Sequence, residues 1–217
     1  MAMILLAAAT EMEALPLMGE KSGYPSELFV TGVGPLEAAV RLTRRLCEVR
    51  GEIALVLNFG VAGAYAGSGA GLLDICLAES EVMGDFGICH EKSIEPFDGQ
   101  LASRQGFFSE PRYVAQAGEI LRQQDYRCKK GVFVTVNGAS ATAKRGAMLH
   151  AAHNGLCENM EGGAVARVCA EFVVPCLEVR CISNMVEDRN LANWQLAAAV
   201  QKCGQAVSLL LDHIVLI

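Results

Sequence analysis

The chain has 217 residues, 52% of them hydrophobic and 19% charged, with a formal net charge of −6. That composition suits one α/β domain whose sheet is buried on both faces, with apolar surface left for a subunit interface. It excludes a nucleic-acid-binding stripe, because no Lys/Arg cluster exceeds Arg44-Arg45 or Lys129-Lys130, and a membrane span, because no apolar run approaches about 18 residues.

Met1 to Thr10 is apolar and alanine-rich, but it lacks a basic leader and runs into Glu11 and Glu13. It therefore reads as a buried first strand over 4–9, not a signal peptide. A second strand covers 27–31. Gly32-Val33-Gly34-Pro35 then turns the chain into a helix from about Leu36 to Val49, with Pro35 suited to the first helical position. A continuous apolar strand, 53–57, is ended by Asn58-Phe59-Gly60-Val61-Ala62-Gly63, and another extended segment covers 73–82. Residues 84–110 lack periodicity and read as a long loop over a site. Helices follow at 113–123, 142–153 and 162–172, strands at 132–136 and 176–182, and a long C-terminal helix from Leu191 to about Ile214. Strands alternating with helices imply a single α/β domain over 1–217, with a central, mostly parallel mixed sheet flanked by helices.

Nine cysteines stand singly, with no C-x-x-C pair. An odd count in a chain of this size argues against a disulfide framework. It suits a cytoplasmic protein whose cysteines act as small hydrophobes.

Several motifs have two readings. Gly32-Val33-Gly34 mimics a dinucleotide fingerprint, but Glu37 holds its third glycine position and no acid ends the next strand, so a tight turn is preferred. His150 and His153 share a helix face and could present two imidazoles to a metal. No third ligand accompanies them, so they read as solvent-side residues near a helix end. Glu161, before Gly162-Gly163, is either a helix N-terminal acid or an acceptor for the two vicinal hydroxyls of a ribose. Glu13, after the first strand, is either a solvated loop residue or a general base. Arg180, Ser183 and Asn184 end the last central strand, where α/β sheets gather ligands.

Together, Glu13, Gly32-x-Gly34, 58–63, Met160-Glu161-Gly162 and 180–184 resemble, in order and spacing, the nucleoside phosphorylase/nucleosidase superfamily. The architecture is most similar to methylthioadenosine/S-adenosylhomocysteine nucleosidases, and the detail of 58–65 and 182–184 to futalosine hydrolases of menaquinone biosynthesis. The resemblance implies a nucleoside phosphorylase-like fold. It implies hydrolysis of a purine nucleoside with Glu13 activating water, Arg180 nearby, Met160 and Glu161 on the ribose, and Trp194 closing the 5′-substituent pocket. Trp194 also reads as a core residue of the C-terminal helix. The turn Val61, Ala62, Gly63 lacks the phosphate-binding hydroxyl of the phosphorylases, which favours water over phosphate. Asn184, held by Ser183, stands where adenine-specific relatives carry an acid. Its amide can face N7–H and a 6-oxo group together, which points to hypoxanthine as in futalosine. Ala139 falls where the family stacks an aromatic on the base, and Phe86 of the long loop is the expected substitute. Arg189 and Arg104 are candidates for the carboxylate of the 5′ tail. No metal or organic cofactor is expected, and a homo-oligomer is. An adenine-directed nucleosidase and a non-catalytic nucleoside-binding protein on the same fold are the alternatives.

Overall fold

The computed structural model describes residues 3–19, 23–49, 51–95, 97 and 106–217. Strand β1 (Met3–Ala8) leads through a one-turn helix α1 (Glu11–Ala14) and a 3₁₀ turn (Leu15–Leu17) to β2 (Ser26–Val30) and α2 (Pro35–Glu48). Then come β3 (Ile53–Tyr65), β4 (Ile75–Met83), a small hairpin of β5 (Ile88–Cys89) and β6 (Ile94–Glu95), and β7 (Gly106–Phe108). The second half alternates α3 (Pro111–Gln123), β8 (Cys128–Thr135), α4 (Ala143–His153), β9 (Gly155–Asn159), α5 (Gly162–Phe172), β10 (Cys176–Val186) and α6 (Leu196–His213).

The mixed sheet runs β10-β4-β8-β9-β3-β1-β2, and β10 also pairs with β3. Strands β3, β10, β4, β8 and β9 therefore close on themselves, while β1 and β2 extend outward from β3. Pairings β1–β2, β1–β3, β3–β10, β4–β8 and β8–β9 are parallel; β4–β10, β3–β9 and β4–β7 are antiparallel. The expected mostly parallel α/β sheet is thus present.

Alternation along β1 builds both sides of the core. Ile4, Leu6 and Ala8 pack with Leu55, Leu57 and Phe59 against α3 and α6. Leu5 and Ala7 pack with Val56 against α2 and α5. A third cluster, including Ala62, Cys76, Phe133 and Ile182, fills the closed part of the sheet. Cys76, Cys157, Cys169, Cys176, Cys181 and Cys203 are buried free thiols.

Several expectations need correction. Strand β3 does not end at Leu57 but runs to Tyr65, because β10 stays paired parallel with it out to Val186–Tyr65, across a one-residue register shift at Ser183, and β9 joins on the other side at Gly63. Strand β9 was hidden inside what reads as a helix-to-helix connection. The segment after β1 is a capped helical turn, not a loop. The long loop is partly structured: β7 pairs with β4, and Asp85 accepts hydrogen bonds from the Asn137 N–H at 3.0 Å and the Arg145 guanidinium at 3.1 Å. The C-terminal helix starts at Leu196, because Asn190 caps a separate 3₁₀ turn (Leu191–Asn193) and Trp194 follows in an extended conformation.

Helix α6 crosses the 3₁₀ turn so closely that a Cβ on Gly204 would overlap the Pro16 ring. Alanine gains about 1 kcal/mol of helix propensity there, but overpacking costs about 1–3 kcal/mol, so the clash wins. Gly204→Ala should lower stability by a net of up to about 2 kcal/mol, read as a fall in the urea midpoint. An unchanged or raised midpoint would show that the turn gives way freely.

Candidate active site

A cleft of about 230 Å³ opens along the sheet where β1, β3, β9 and β10 come together. This is near the small end of ligand pockets, about 300–1,000 Å³, and suits one small molecule. It is lined by Ala9, Thr10, Met12, Glu13, Val33, Val61, Ala62, Gly63, Val136, Ala139, Ser140, Glu158, Asn159, Met160, Glu161, Ser183, Asn184 and Trp194. Of the site residues named from the sequence, Glu13, Val61, Ala62, Gly63, Met160, Glu161, Ser183, Asn184 and Trp194 line it. Arg180 lies beneath the cleft, and Phe86 lies away from it.

Glu13 is delivered by α1. Thr10 accepts from the Glu13 N–H at 3.2 Å, and the Glu13 carboxylate accepts in return from the Thr10 N–H at 3.2 Å and hydroxyl at 2.9 Å. This is a capping box, and T-x-x-E at 10–13 is its sequence signature. The other oxygen of Glu13 accepts from the Val61 N–H at 3.0 Å. The carboxylate is 6% exposed overall and fixed by three donors, so the solvated-loop reading does not hold. Gly60 makes this approach possible, because any Cβ there would collide with Glu13 Oε1 and Arg180 Nη1.

Glu161 sits at the N-terminus of α5. Its Oε1 accepts from the Gly34 N–H at 2.9 Å. Gly32 and Gly34 both have positive φ, so the turn that resembles a dinucleotide fingerprint carries a backbone donor to this carboxylate. Burial pushes the Glu161 carboxyl up, while Arg180 and the Gly34 N–H pull it back toward ionisation.

Below α5 lies a buried charge cluster that the sequence reading left out, apart from Arg180. Arg180 is 1% exposed; its Nε donates to Glu178 at 2.8 Å and its Nη2 lies 3.9 Å from Glu161 Oε2. Burial works against this charge, but Glu178, then Glu161 and Glu13, hold the guanidinium above the ordinary arginine value. Its ion-pair partners are thus Glu178 and Glu161, and its Nη1 also approaches the Glu13 carboxylate across Gly60, where one Cβ would meet both groups. Glu81, also 1% exposed, accepts from Thr135 Oγ1 at 2.7 Å and Asn159 Nδ2 at 2.5 Å. Burial first, then the Glu178 charge, push its carboxyl well above the usual range. A side chain at Gly162 would run into both Glu81 and Glu178. Asn159 Oδ1 accepts the N–H groups of Glu161 and Gly162, and Thr135 Oγ1 accepts that of Gly163. The available signal was Glu178 and Arg180 two apart in an apolar strand: both point to one buried face and need partners there.

On β10, Ser183 donates to Asn184 Oδ1 at 2.8 Å, and Asn184 Nδ2 donates to the Met185 carbonyl at 3.2 Å. One N–H and one acceptor lone pair of the amide remain for a ligand. These residues lie within β10 and not at its end. Trp194 lines the rim, and the Arg189 guanidinium lies 5.1 Å over its ring, which brings this candidate cation to the cleft edge. Arg104 lies outside the described residues. Phe86 must be corrected: it is 44% exposed and packs edge-on against Phe97 with centroids 5.4 Å apart. Its neighbour Asp85 is tied to Asn137 and Arg145 instead of reaching over the cleft. Trp194 is the one aromatic lining residue among those described, and Met12, Val33, Val61, Val136, Ala139 and Met160 are among the aliphatic ones.

His150 and His153 are half-buried, not solvent-side. Their ring nitrogens lie 2.8 Å from the Gly155 carbonyl and 3.1 Å from the Gly84 carbonyl. Among the described residues no group of three His, Cys, Asp or Glu could hold a metal.

A family model for the phosphorylase superfamily matches residues 7–216. The chain is 32% identical to a futalosine hydrolase of Thermus thermophilus over 219 aligned residues, covering 96% of this chain and 95% of that one. It is 29% identical to a futalosine hydrolase of Streptomyces coelicolor over 186, covering 83% and 76%. The fold is shared with a methylthioadenosine/S-adenosylhomocysteine nucleosidase of Helicobacter pylori solved with butyl-thio-DADMe-Immucillin-A, with TM-score 0.86, 19% identity and 99% of each chain covered. It is likewise shared with a native futalosine hydrolase from Helicobacter pylori, with TM-score 0.86, 19% identity and 98% of each chain covered.

Glu81 gives the site a pH signature. Folding raises its carboxyl above the ordinary 4.5, so the folded state keeps a proton that the unfolded chain releases. Stability therefore falls as pH rises from that value toward the raised one, by about 1.4 kcal/mol per pH unit, and levels off above it. Glu81→Gln removes this titration and leaves that of Glu161 in place. In thermal melts from pH 5 to 8 the variant should gain on the wild type as pH rises; parallel profiles would mean that Glu81 carries no extra proton.

Proposed function

Because the chain belongs to the phosphorylase superfamily, with its site built around Glu13, Glu161 and Asn184, we propose that it is a nucleosidase. It hydrolyses the N-glycosidic bond of a 6-oxopurine nucleoside, futalosine first among the substrates, to hypoxanthine and the modified ribose. The observation that carries this reading is the arrival of those three side chains, from opposite ends of the chain, in one cleft.

The C1′–N9 bond breaks through an oxocarbenium-like state. The bonding electrons leave with N9, and the departing purine takes a proton at N7 from solvent water, because an asparagine has none to give; the proton that Glu13 takes from the attacking water later returns to solvent and closes the balance. Asn184 Oδ1 accepts from N7–H and Nδ2 donates to O6. Glu161 accepts from the 2′ and 3′ hydroxyls, over Met160, and fixes C1′ relative to Glu13. Glu13 takes a proton from the water whose oxygen bonds C1′. Its two oxygens already accept three hydrogen bonds, so its direction is set before substrate arrives, as a positioned base requires. Val61 offers an N–H to Glu13 but no hydroxyl to an anion, which supports water over phosphate as the nucleophile. Arg180, near Glu13 and the attacking water, neutralises the carboxylates that do the work. The Arg189–Trp194 pair is the proposed contact for the substrate's 5′ tail.

Among the described residues no helix is long and apolar enough to cross a membrane. A cytoplasmic homo-oligomer is part of the proposal. Met12 and Val33, at the cleft, are 48% and 56% exposed and neighbour the exposed Leu15, Met18, Leu36 and Val40 on α1, α2 and the turns beside them. Apolar surface of this kind marks interfaces. Light scattering is expected to give a multiple of 23.1 kDa; the mass of a single chain would remove this part.

Futalosine, inosine and methylthioadenosine, each with and without phosphate, separate the readings. Free hypoxanthine released from futalosine without phosphate is the expected result. Release of adenine alone would favour the adenine-directed reading, and no release from any of them a binding protein. Glu13→Gln should keep the fold and lose about 10²–10⁴-fold in kcat; near-normal turnover would remove Glu13 as the base.

A further inference from the structure

Glu158 is a buried carboxylate, 7% exposed, that lines the cleft and that the hydrolysis above does not use. It pairs across β9–β3 with Gly63, and Gly63 pairs across β3–β10 with Asn184. Directly paired residues on neighbouring strands project to the same face. Glu158 and Asn184 therefore face the cleft from either side of Gly63, their backbones two strand spacings, about 10 Å, apart. Gly63 leaves the floor between them bare: a Cβ there would come within 3.0 Å of Asn184 Nδ2.

The carboxylate is aimed. Its Oε1 accepts from the Ser140 N–H and its Oε2 from the Ser140 hydroxyl, both at 2.7 Å. Each oxygen keeps a lone pair for another donor. Behind it lies the fully buried Tyr65 hydroxyl, with the Glu158 carboxylate as its nearby acceptor. Burial, then the Glu158 charge, raise that phenol above its ordinary value, as expected of a group held beside a carboxylate.

We propose that Glu158 accepts the N1–H of the purine and, with Asn184, selects 6-oxopurines over adenine. Along that edge hypoxanthine presents N1–H, a donor, next to O6, an acceptor. Glu158 and the free N–H of Asn184 offer the complement in the same order. Adenine presents an acceptor at N1 and a donor at its 6-amino group. It would set lone pair against lone pair at Glu158 and donor against donor at Asn184. Specificity here comes from repelling the wrong base as well as holding the right one. The bland alternative is that Glu158 only ties the segment after β8 to β9 through Ser140. That role carries no preference among bases.

The proposal rests on the cleft being a purine site, and equilibrium binding of free bases tests it whether or not a nucleoside is cleaved. Wild type and Glu158→Gln are titrated by calorimetry with hypoxanthine, 1-methylhypoxanthine and adenine. Wild type is expected to prefer hypoxanthine over both others by about tenfold or more, the scale of one unmade buried hydrogen bond. Glu158→Gln should lose about tenfold for hypoxanthine, change little for 1-methylhypoxanthine, and bind adenine as well or better. Equal losses for all three bases, or an unchanged preference, overturn the role of Glu158 and leave the nucleosidase reading standing. No binding of any base by wild type overturns both. Where Glu158→Gln does not fold, Ser140→Ala, which removes one of the two Ser140 donors, should lower the hypoxanthine preference by a few-fold; no change overturns the proposal.

Discussion

Arg180 holds a positive charge where almost no solvent reaches, and the candidate site is arranged around that fact. A buried guanidinium is tolerated only with close anionic partners. Glu178, two residues before it on the same strand, makes the direct bond, and Glu161 faces it from the start of α5. Removing one partner would leave the others as uncompensated buried charge, so the cluster holds or fails as a unit. The position of Glu161 in the cleft follows from this balance and from the Gly34 N–H, not from packing alone. Among these carboxylates Glu81 has no cation in direct contact, and burial and the Glu178 charge push its carboxyl well above the usual range.

The same reasoning explains why glycines border the site. Gly60, Gly63 and Gly162 lie where a Cβ would strike Glu13 and Arg180, Asn184, or Glu81 and Glu178, respectively. Each removes a side chain so that charged or amide groups from other elements can meet. The glycine-rich part of β3 is therefore a strand that carries neighbours' side chains across its backbone.

This bears on how much was legible in the sequence. The alternation of apolar strands and amphipathic helices was local, and the parallel sheet follows from it. Glu13, Glu161, Ser183, Asn184 and Trp194 stood in short motifs at recognisable spacing, and they do meet. Other features depend on pairings between distant segments. Strand β3 reads as broken at Asn58 because its continuation is rich in glycine; only β10 and β9 on either side make it extended. Strand β9 is five residues long and ends in Glu-Asn, so no periodicity marks it. Glu81 and Glu178 looked like stray charges in apolar strands until the sheet closed and brought them together. Phe86 was an aromatic in want of a partner, and the anchoring of Asp85 to Asn137 and Arg145 took it elsewhere. T-x-x-E at 10–13 is by contrast a local signature, and the cap it marks is the one that fixes Glu13.

The closure of the sheet also governs how two molecules of this protein can meet. With β10 bonded to both β3 and β4, free strand edges of the main sheet among the described residues fall to β7, three residues long, and β2 at the far end, and the separate hairpin β5–β6 has strands of only two residues. Strand β2 is itself guarded: Glu27 is gripped by Arg45 of α2 through bonds of 2.8 and 2.5 Å. Short or charged edges resist backbone-to-backbone recruitment of another chain. Assembly is then left to side-chain surfaces, where contact can be specific and finite, and the described strand edges give growth into extended β-structure only short or guarded starting points.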